Sequence, residues 1–308
     1  MESMFIVSGI LLMLLVPLYV ACPFLFYYSK KVRNTFLFAN RLNFPHPRFH
    51  PLKDPSYFGI KNGENSTISL DDGVINLWSI KSEVSNSRKE MILYCHGNSC
   101  NRAMTHRVGL YQEMLAQGFD VVTFDYRGYG DSKLRNAAIP NEETVVFDTN
   151  VILEWAEEHN PDHKILIWGH SLGTGISIKL LSTLKECSRR IHGLILESPF
   201  LSSGEAGRHI PIAKIFDLLP FTRGVIGDAL EGMFPSNELI AKVEVPIFIL
   251  HAHDDKILPV HQGIALQKAS HDQGKMDVTL KLVKEGGHKF LYKNKEAMAA
   301  TWEFISSI

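Results

Sequence analysis

The fold is decided by residues 164–175, which read Lys-Ile-Leu-Ile-Trp-Gly-His-Ser-Leu-Gly-Thr-Gly. A short apolar strand runs directly into the pattern Gly169-x-Ser171-x-Gly173, and residues with helical spacing follow. The two glycines allow a tight turn that lifts the serine hydroxyl above the edge of a sheet. The amino end of the helix favours negative charge that develops beside this hydroxyl. The segment predicts a nucleophilic serine; the alternative is a turn serine that caps the helix.

Such a nucleophile needs an acid and then a histidine further along the chain. His288 is the one later histidine that follows the last predicted strand, and the two glycines before it allow a loop to carry its imidazole over the serine. The acid should follow the preceding strand, where residues 251–259 read His-Ala-His-Asp-Asp-Lys-Ile-Leu-Pro. Asp255 is favoured because the proline four residues later can begin a helix, with Asp254 as the alternative. The predicted triad is Ser171, Asp255 and His288.

The negatively charged intermediate of an acyl transfer needs two backbone N–H donors. Leu172, directly after the serine, supplies one. The other should come from the loop after the strand at residues 91–95, and the amide of Asn98 is the candidate.

A metal site is the other chemistry that this part of the chain could support. His251 and His253 alternate on a strand and so share a face, and Asp254 or Asp255 could add a carboxylate ligand. The sequence contains no third group of ligand residues, and the triad accounts for more of the motifs. We therefore expect neither a metal nor a cofactor.

Short apolar strands alternate with helical segments through the body, residues 55–308. Strands are predicted over residues 74–80, 91–95, 120–124, 164–168, 193–196, 246–250 and 278–283, and helices over residues 102–117, 142–159 and 172–186. This alternation predicts an α/β fold with a doubly wound, mostly parallel sheet, in which the first strand is antiparallel. Ligands bind such sheets at the carboxyl ends of the strands, where the predicted triad lies.

The alternation is interrupted at residues 200–245, a partly helical stretch rich in apolar side chains. An insertion at this position lies above the active site as a lid, and its apolar content suits a fatty acyl chain. The alternative is that the same side chains pack on the sheet.

The composition excludes several classes of protein. The 308 residues are 45% hydrophobic and 21% charged, which is incompatible with a disordered chain, a disulfide scaffold or a collagen-like fibre. The formal net charge of −1 gives no reason to expect a nucleic-acid partner. No Cys-x-x-Cys pair occurs, so neither a zinc ribbon nor a thioredoxin motif is present. The cysteines are Cys22, Cys95, Cys100 and Cys187.

The N-terminus predicts a membrane anchor. After a short tail at residues 1–4, residues 5–28 are almost continuously apolar and long enough to span a bilayer. A cleaved signal peptide would need a basic start and a shorter apolar stretch, whereas this chain begins Met-Glu-Ser. Residues 29–54 form a basic juxtamembrane connector, in which residues 29–53 contain six basic and no acidic residues.

Two signals disagree about the side of the membrane on which the body lies. Lys30, Lys31 and Arg33 directly follow the span, and the positive-inside rule then favours a cytosolic body. The sequon Asn65-Ser-Thr is usable only in a lumen or outside the cell.

Five blocks of sequence carry a resemblance to a known family. They are His-Gly-Asn at 96–98, His-Arg-Val at 106–108, Val-Val-Thr-Phe-Asp-Tyr-Arg-Gly at 121–128, residues 167–175, and Leu-Glu-Ser-Pro-Phe at 196–200. Over residues 55–308 the chain resembles the α/β-hydrolase domain-containing protein 12 family, whose members are monoacylglycerol and lysophosphatidylserine lipases.

The resemblance implies the α/β-hydrolase fold and puts the family's triad on Ser171, Asp255 and His288. It also implies one N-terminal span in the endoplasmic reticulum membrane, a lumenal catalytic domain and a glycosylated Asn65. The expected partners are a lipid substrate and a membrane, and the expected reaction is ester hydrolysis through an acyl-enzyme.

Three other functions share part of this pattern. A protein depalmitoylase would use the same triad on a thioester, and a cytosolic body would favour it. An acyltransferase is disfavoured because His288 is followed by Lys-Phe-Leu-Tyr-Lys rather than by a His-x-x-x-x-Asp motif. A non-enzymatic binding scaffold would be expected to have lost one of the three triad residues.

Overall fold

The computed structural model describes residues 2–84, 88–184, 190–210, 213–218 and 222–308. Within these ranges, the side chains of residues 2–12, 14, 15, 137, 213, 217 and 218 are not described. Cys187, parts of the predicted lid at 211–212 and 219–221, and most side chains of the first half of the predicted anchor lie outside the described residues.

A single mixed sheet forms the centre of the described chain. Its nine strands are β1 (Gly63–Leu70), β2 (Gly73–Ile80), β3 (Glu90–Cys95), β4 (Asp120–Asp125), β5 (Lys133–Leu134), β6 (Lys164–His170), β7 (Ile191–Glu197), β8 (Ile247–Ala252) and β9 (Val278–Val283). The spatial order is β1-β2-β4-β3-β6-β7-β8-β9, with the short β5 on β2. The strands from β4 to β9 in this order are parallel, and β1, β2 and β5 form the antiparallel edge. The predicted doubly wound, mostly parallel sheet is confirmed.

Helices cover both faces of the sheet. They are α1 (Glu2–Tyr28), α2 (Lys30–Phe38), α3 (Thr105–Ala116), α4 (Glu142–His159), α5 (Leu172–Thr183), α6 (Ser203–His209), α7 (Val225–Leu230), α8 (Ser236–Leu239), α9 (His261–Asp272) and α10 (Lys295–Ser307). Alternate strand residues point to opposite faces. Leu93 and Ile167 therefore join an apolar layer with α4, α5 and α9, while Ile92 and Trp168 join another with α3 and α10.

The predicted start of the helix at residue 102 is wrong by three residues. The buried side chain of Arg102 forms ion pairs with Asp125 and Asp131, and its backbone N–H donates to the Asp125 carboxylate at 2.7 Å. These contacts hold Arg102 in a turn, so α3 begins only at Thr105. The edge strand β1 was not predicted because its sequence, Gly-Glu-Asn-Ser-Thr-Ile-Ser-Leu, is too polar to show an apolar alternation.

The N-terminal helices contact the body near the predicted lid. Phe26, close to the end of α1, packs with Ile226 and Leu230 of α7. The Tyr19 hydroxyl donates to the backbone carbonyl of Ile215 at 2.5 Å. Across the portions of the chain whose side chains are described, no helix is both long and apolar enough to cross a bilayer. The span over residues 5–28 stays a prediction.

Candidate active site

The turn between β6 and α5 has a strained backbone. Ser171 has φ 53° and ψ −118°, a left-handed conformation that residues with a Cβ rarely adopt. Its N–H donates to the Glu197 carbonyl at 3.0 Å, which helps to hold the turn. A Cβ at Gly173 would lie 2.0 Å from the Cys95 carbonyl oxygen, and one at Gly169 would lie 2.6 Å from the Gly173 carbonyl oxygen. Gly173 therefore lets the turn approach β3, and Gly169 lets the start of α5 pack against the end of β6.

His288, on the loop after β9, bridges two side chains. Its Nε2 lies 3.0 Å from Oγ of Ser171, and its Nδ1 lies 2.8 Å from Oδ2 of Asp255. These are the distances at which an imidazole can take a hydroxyl proton while a carboxylate orients the ring. The structure thus brings the three predicted residues together, although His288 is 117 residues from Ser171 in the chain.

The Asp255 carboxylate is held as an anion. Its Oδ1 accepts hydrogen bonds from the amides of Ile257 and Leu258, each at 2.9 Å. Burial alone would raise the pKa of Asp255, but the imidazoles of His251 and His288, whose nearest nitrogens lie 3.4 Å and 2.8 Å from its Oδ2, outweigh burial together with the Leu258 amide and hold the pKa well below its usual range. Asp255 can therefore stabilise a charged His288 ring.

Asp254, the alternative acid, has a different contact. Its Oδ1 accepts from the backbone N–H of Gly287 at 2.7 Å, so it tethers the loop that carries His288. The histidines of the metal alternative point apart, because His251 is buried and donates to a backbone carbonyl while His253 is exposed. Among the described residues, no group of three His, Cys, Asp or Glu side chains could hold a metal ion.

His170, inside the turn motif, makes a contact that the sequence did not predict. Its Nε2 donates to the backbone carbonyl of His288 at 2.7 Å. Burial, with the neighbouring imidazoles of His288 and His106, holds the pKa of His170 well below its usual range. The ring is therefore neutral and ties the His288 loop to the serine turn. The one signal in the sequence was that His170 lies inside the Gly-x-Ser-x-Gly motif, but the motif allows any residue at this position.

A second carboxyl group lies behind the turn. Glu197 is buried at the end of β7, and the indole N–H of Trp168 donates to it at 2.8 Å. Burial raises the pKa of Glu197 to about 7, against the smaller lowering effect of the Trp168 hydrogen bond. Glu197 is therefore mostly protonated below neutral pH and adds little negative charge near Asp255 there.

The residues of the two predicted amide donors line the same cavity as Ser171. Leu172 is the first residue of α5, where a backbone N–H has no acceptor within the helix. Asn98 lies on the loop after β3, and its amide has no acceptor within the described part of the chain. A Cβ at Gly97 would lie only 3.2 Å from Cβ of Ser171, so this glycine lets the loop approach the serine.

A cavity of about 260 Å³ opens over Ser171. Its apolar wall contains Leu37, Leu172, Phe200, Ala206, Ile210, Ile257 and Leu258. Its polar wall contains Asn98, Ser99, His106, Arg107 and Lys289. Part of the predicted lid thus lines the cavity, as Phe200 and Ala206 show, while another part packs in the core, as the fully buried Phe234 shows. Side chains of residues 200–245 therefore contribute both to the cavity and to the core, and the lid stays a prediction.

Sequence comparison identifies related proteins. A family model described as "Serine aminopeptidase, S33" matches residues 86–227. The chain is 30% identical over 324 residues to the lysophosphatidylserine lipase ABHD12 of Xenopus tropicalis, covering 96% of this chain and 82% of that protein. It is also 30% identical over 315 residues to the rat protein of the same name, covering 93% and 77% of the two chains.

Solved structures show the same fold at low sequence identity. An α/β hydrolase from Vibrio vulnificus superposes with a TM-score of 0.71 at 17% identity, covering 90% of this chain and 93% of the other. A Pyrococcus furiosus esterase superposes with a TM-score of 0.64 at 18% identity, covering 82% and 94% of the two chains. The expected α/β-hydrolase fold is therefore confirmed.

Proposed function

This chain belongs to the family of the lysophosphatidylserine lipase ABHD12, and from that membership we propose that it cleaves the acyl ester of monoacylglycerols and lysophospholipids, including lysophosphatidylserine. It is a hydrolase of the lipase and esterase class. The observation that carries the proposal is the hydrogen-bonded series Asp255–His288–Ser171, which ends in a cavity with an apolar wall.

The proposed reaction passes through a covalent acyl-enzyme. His288 takes the proton of Ser171 as its Oγ attacks the ester carbonyl, and Asp255 stabilises the imidazolium that forms. The amides of Asn98 and Leu172 donate to the oxyanion of the tetrahedral intermediate. His288 then protonates the leaving glycerol or glycerophospho head group, and water releases the fatty acid in a second cycle. The reaction uses no cofactor.

The residues that line the cavity support a substrate with an acyl chain. The apolar wall suits a hydrocarbon chain because it removes that chain from water. The polar wall contains Arg107 and Lys289, and no Asp or Glu among the described residues lines the cavity. The charge of the residues that line the cavity therefore favours an anionic head group over a cationic one.

A substrate panel tests the proposed function. The detergent-solubilised full chain is assayed on monoacylglycerol, lysophosphatidylserine, lysophosphatidylcholine and a palmitoyl thioester, beside Ser171→Ala. We expect serine-dependent release of fatty acid from the first two. Release from the thioester alone would establish the alternative depalmitoylase. Failure of a serine-reactive probe to label the wild-type protein would establish a binding scaffold.

We also propose that residues 5–28 anchor the protein in the endoplasmic reticulum membrane, with the catalytic domain in the lumen. The uncharged, apolar sequence of this segment supports the anchor. The sequon at Asn65 supports the lumenal orientation. Asn65 lies on β1, where its Oδ1 accepts a hydrogen bond from Nη2 of Arg102 at 3.0 Å. A glycan would attach to the other atom of the amide, Nδ2.

The glycan and the hydrogen bond of Asn65 can be separated by two variants. Removal of N-linked glycans should lower the apparent mass of the wild type but not that of Asn65→Asp, which keeps the acceptor for Arg102. Asn65→Ala should also lack the glycan and should lose about 1 kcal/mol of unfolding free energy in addition, because one donor of a buried guanidinium loses its partner. A wild-type protein with unchanged mobility, expressed in cells that glycosylate, would contradict the lumenal orientation.

A further inference from the structure

The connector between α2 and the first strand exposes three large apolar side chains within the nine residues 41–49. Leu42 is 59% exposed, Phe44 62% and Phe49 73%. Arg41 and Arg48, also exposed, lie within the same nine residues. We call these five side chains the connector patch. A single exposed apolar residue is ordinary, but a cluster with basic neighbours indicates a surface that binds something.

The connector patch is fastened to the rim of the Ser171 cavity. The Leu42 carbonyl accepts from the backbone N–H of Cys100 at 2.6 Å, and Cys100 itself lines the cavity. The Asn43 amide donates to the Gly130 carbonyl at 2.8 Å and accepts from the Asn101 side chain at 2.7 Å. The patch is therefore built onto the loop that also carries the predicted amide donor of the oxyanion.

The surroundings of the patch favour a lipid surface as its partner. Through α2 the patch is continuous with α1, and Leu37 of α2 lines the cavity. On another part of the rim, Ile257 also lines the cavity and is 42% exposed. The six basic residues within 29–53, with no acidic residue among them, complement the phosphate groups of lipid heads. Apolar side chains beside arginines are the composition of segments that lie in a bilayer interface.

We propose that the connector patch inserts into the interface of the bilayer and holds the mouth of the Ser171 cavity against the membrane. Lipid substrate then passes from the bilayer into the cavity without crossing water. The inference rests on the proposed lipid hydrolysis and adds the surface through which the substrate enters.

The first experiment compares two substrates in full-length protein reconstituted into phosphatidylcholine–phosphatidylserine vesicles. The triple variant Leu42→Ser, Phe44→Ser, Phe49→Ser should raise KM for a vesicle-resident monoacylglycerol about tenfold, because the opening of the Ser171 cavity is no longer held against the bilayer. Its kcat/KM for a water-soluble short-chain ester should match the wild type. Met276→Ser is the control, because Met276 is 69% exposed but precedes β9, at the opposite edge of the sheet. Equal KM values for the triple variant and the wild type would overturn the proposal.

A second experiment measures insertion without using activity. Phe49→Trp should gain fluorescence that brominated lipids in the vesicles quench, over the background of the native tryptophans, whereas Met276→Trp should gain none. Absence of quenching at position 49 would overturn the proposal even if the triple variant failed to fold. Dissociation of a wild-type dimer in the triple variant would instead identify a second copy as the occupant. If the wild-type protein hydrolyses neither substrate, the proposed function is refuted. The quenching result then decides alone whether the connector patch inserts into the bilayer.

Discussion

Replacing Ser171 by alanine should lower kcat on a monoacylglycerol or lysophosphatidylserine by about 10⁶-fold, the loss found when the nucleophile of a serine triad is removed. The hydroxyl oxygen lies 3.0 Å from Nε2 of His288, and no other serine occupies that position among the residues described. Alanine keeps the Cβ that the strained turn already accommodates. The free energy of unfolding of this variant should therefore lie within about 1 kcal/mol of the wild-type value, since only one hydrogen bond is lost. Steady-state kinetics and chemical denaturation measure the two effects.

Ser182→Ala is the matched control for this prediction. Ser182 lies on the same helix as the serine turn, and its hydroxyl donates to the Lys179 carbonyl rather than to a histidine. Its kcat should stay within about twofold of the wild type, because a surface change of this size leaves the cavity unaltered. Comparable activity in the Ser171 variant and the wild type would show that another group attacks the ester.

Replacing Asp255 by asparagine should lower kcat by about 10⁴-fold. The oxygen of the new side chain would still accept hydrogen bonds from the backbone N–H groups of Ile257 and Leu258, so the loop keeps its shape. Its amide, however, carries no charge to stabilise the imidazolium of His288, and an NH₂ group turned toward Nδ1 would favour the wrong tautomer. The matched variant is Asp254→Asn, which keeps an oxygen for the Gly287 amide and should lose less than about tenfold.

Equal losses in the two asparagine variants, or a larger loss at Asp254, would contradict the assignment. A pH series adds an independent readout. Because the pKa of Asp255 lies below its ordinary value, its ionised form stabilises the fold above about pH 4, and this contribution disappears as pH falls toward the folded pKa. The unfolding free energy of Asp255→Asn should therefore depend less on pH in that acid range than that of the wild type.

Local patterns in the chain were enough to predict the strands other than β1 and β5, the serine turn and its two glycines. Each of these depends on residues a few positions apart, where side-chain period and backbone conformation act directly. The order of the motifs along the chain also restricts which strand end each residue follows, and the structure places Nε2 of the predicted His288 3.0 Å from Oγ of Ser171. At residues 254–255, two adjacent carboxylates satisfied the same pattern, so local sequence did not identify which of them is the acid.

Only the tertiary structure separated those carboxylates, by directing one to the imidazole of His288 and the other to the amide of Gly287. The same holds for the contact of His170 with a carbonyl 118 residues away, and for the attachment of Leu42 to Cys100. Sequence determines which side chains are available at each strand end and loop. Which of them meet is decided by the packing of strands and loops that are remote in the chain, because hydrogen bonds form between neighbours in space.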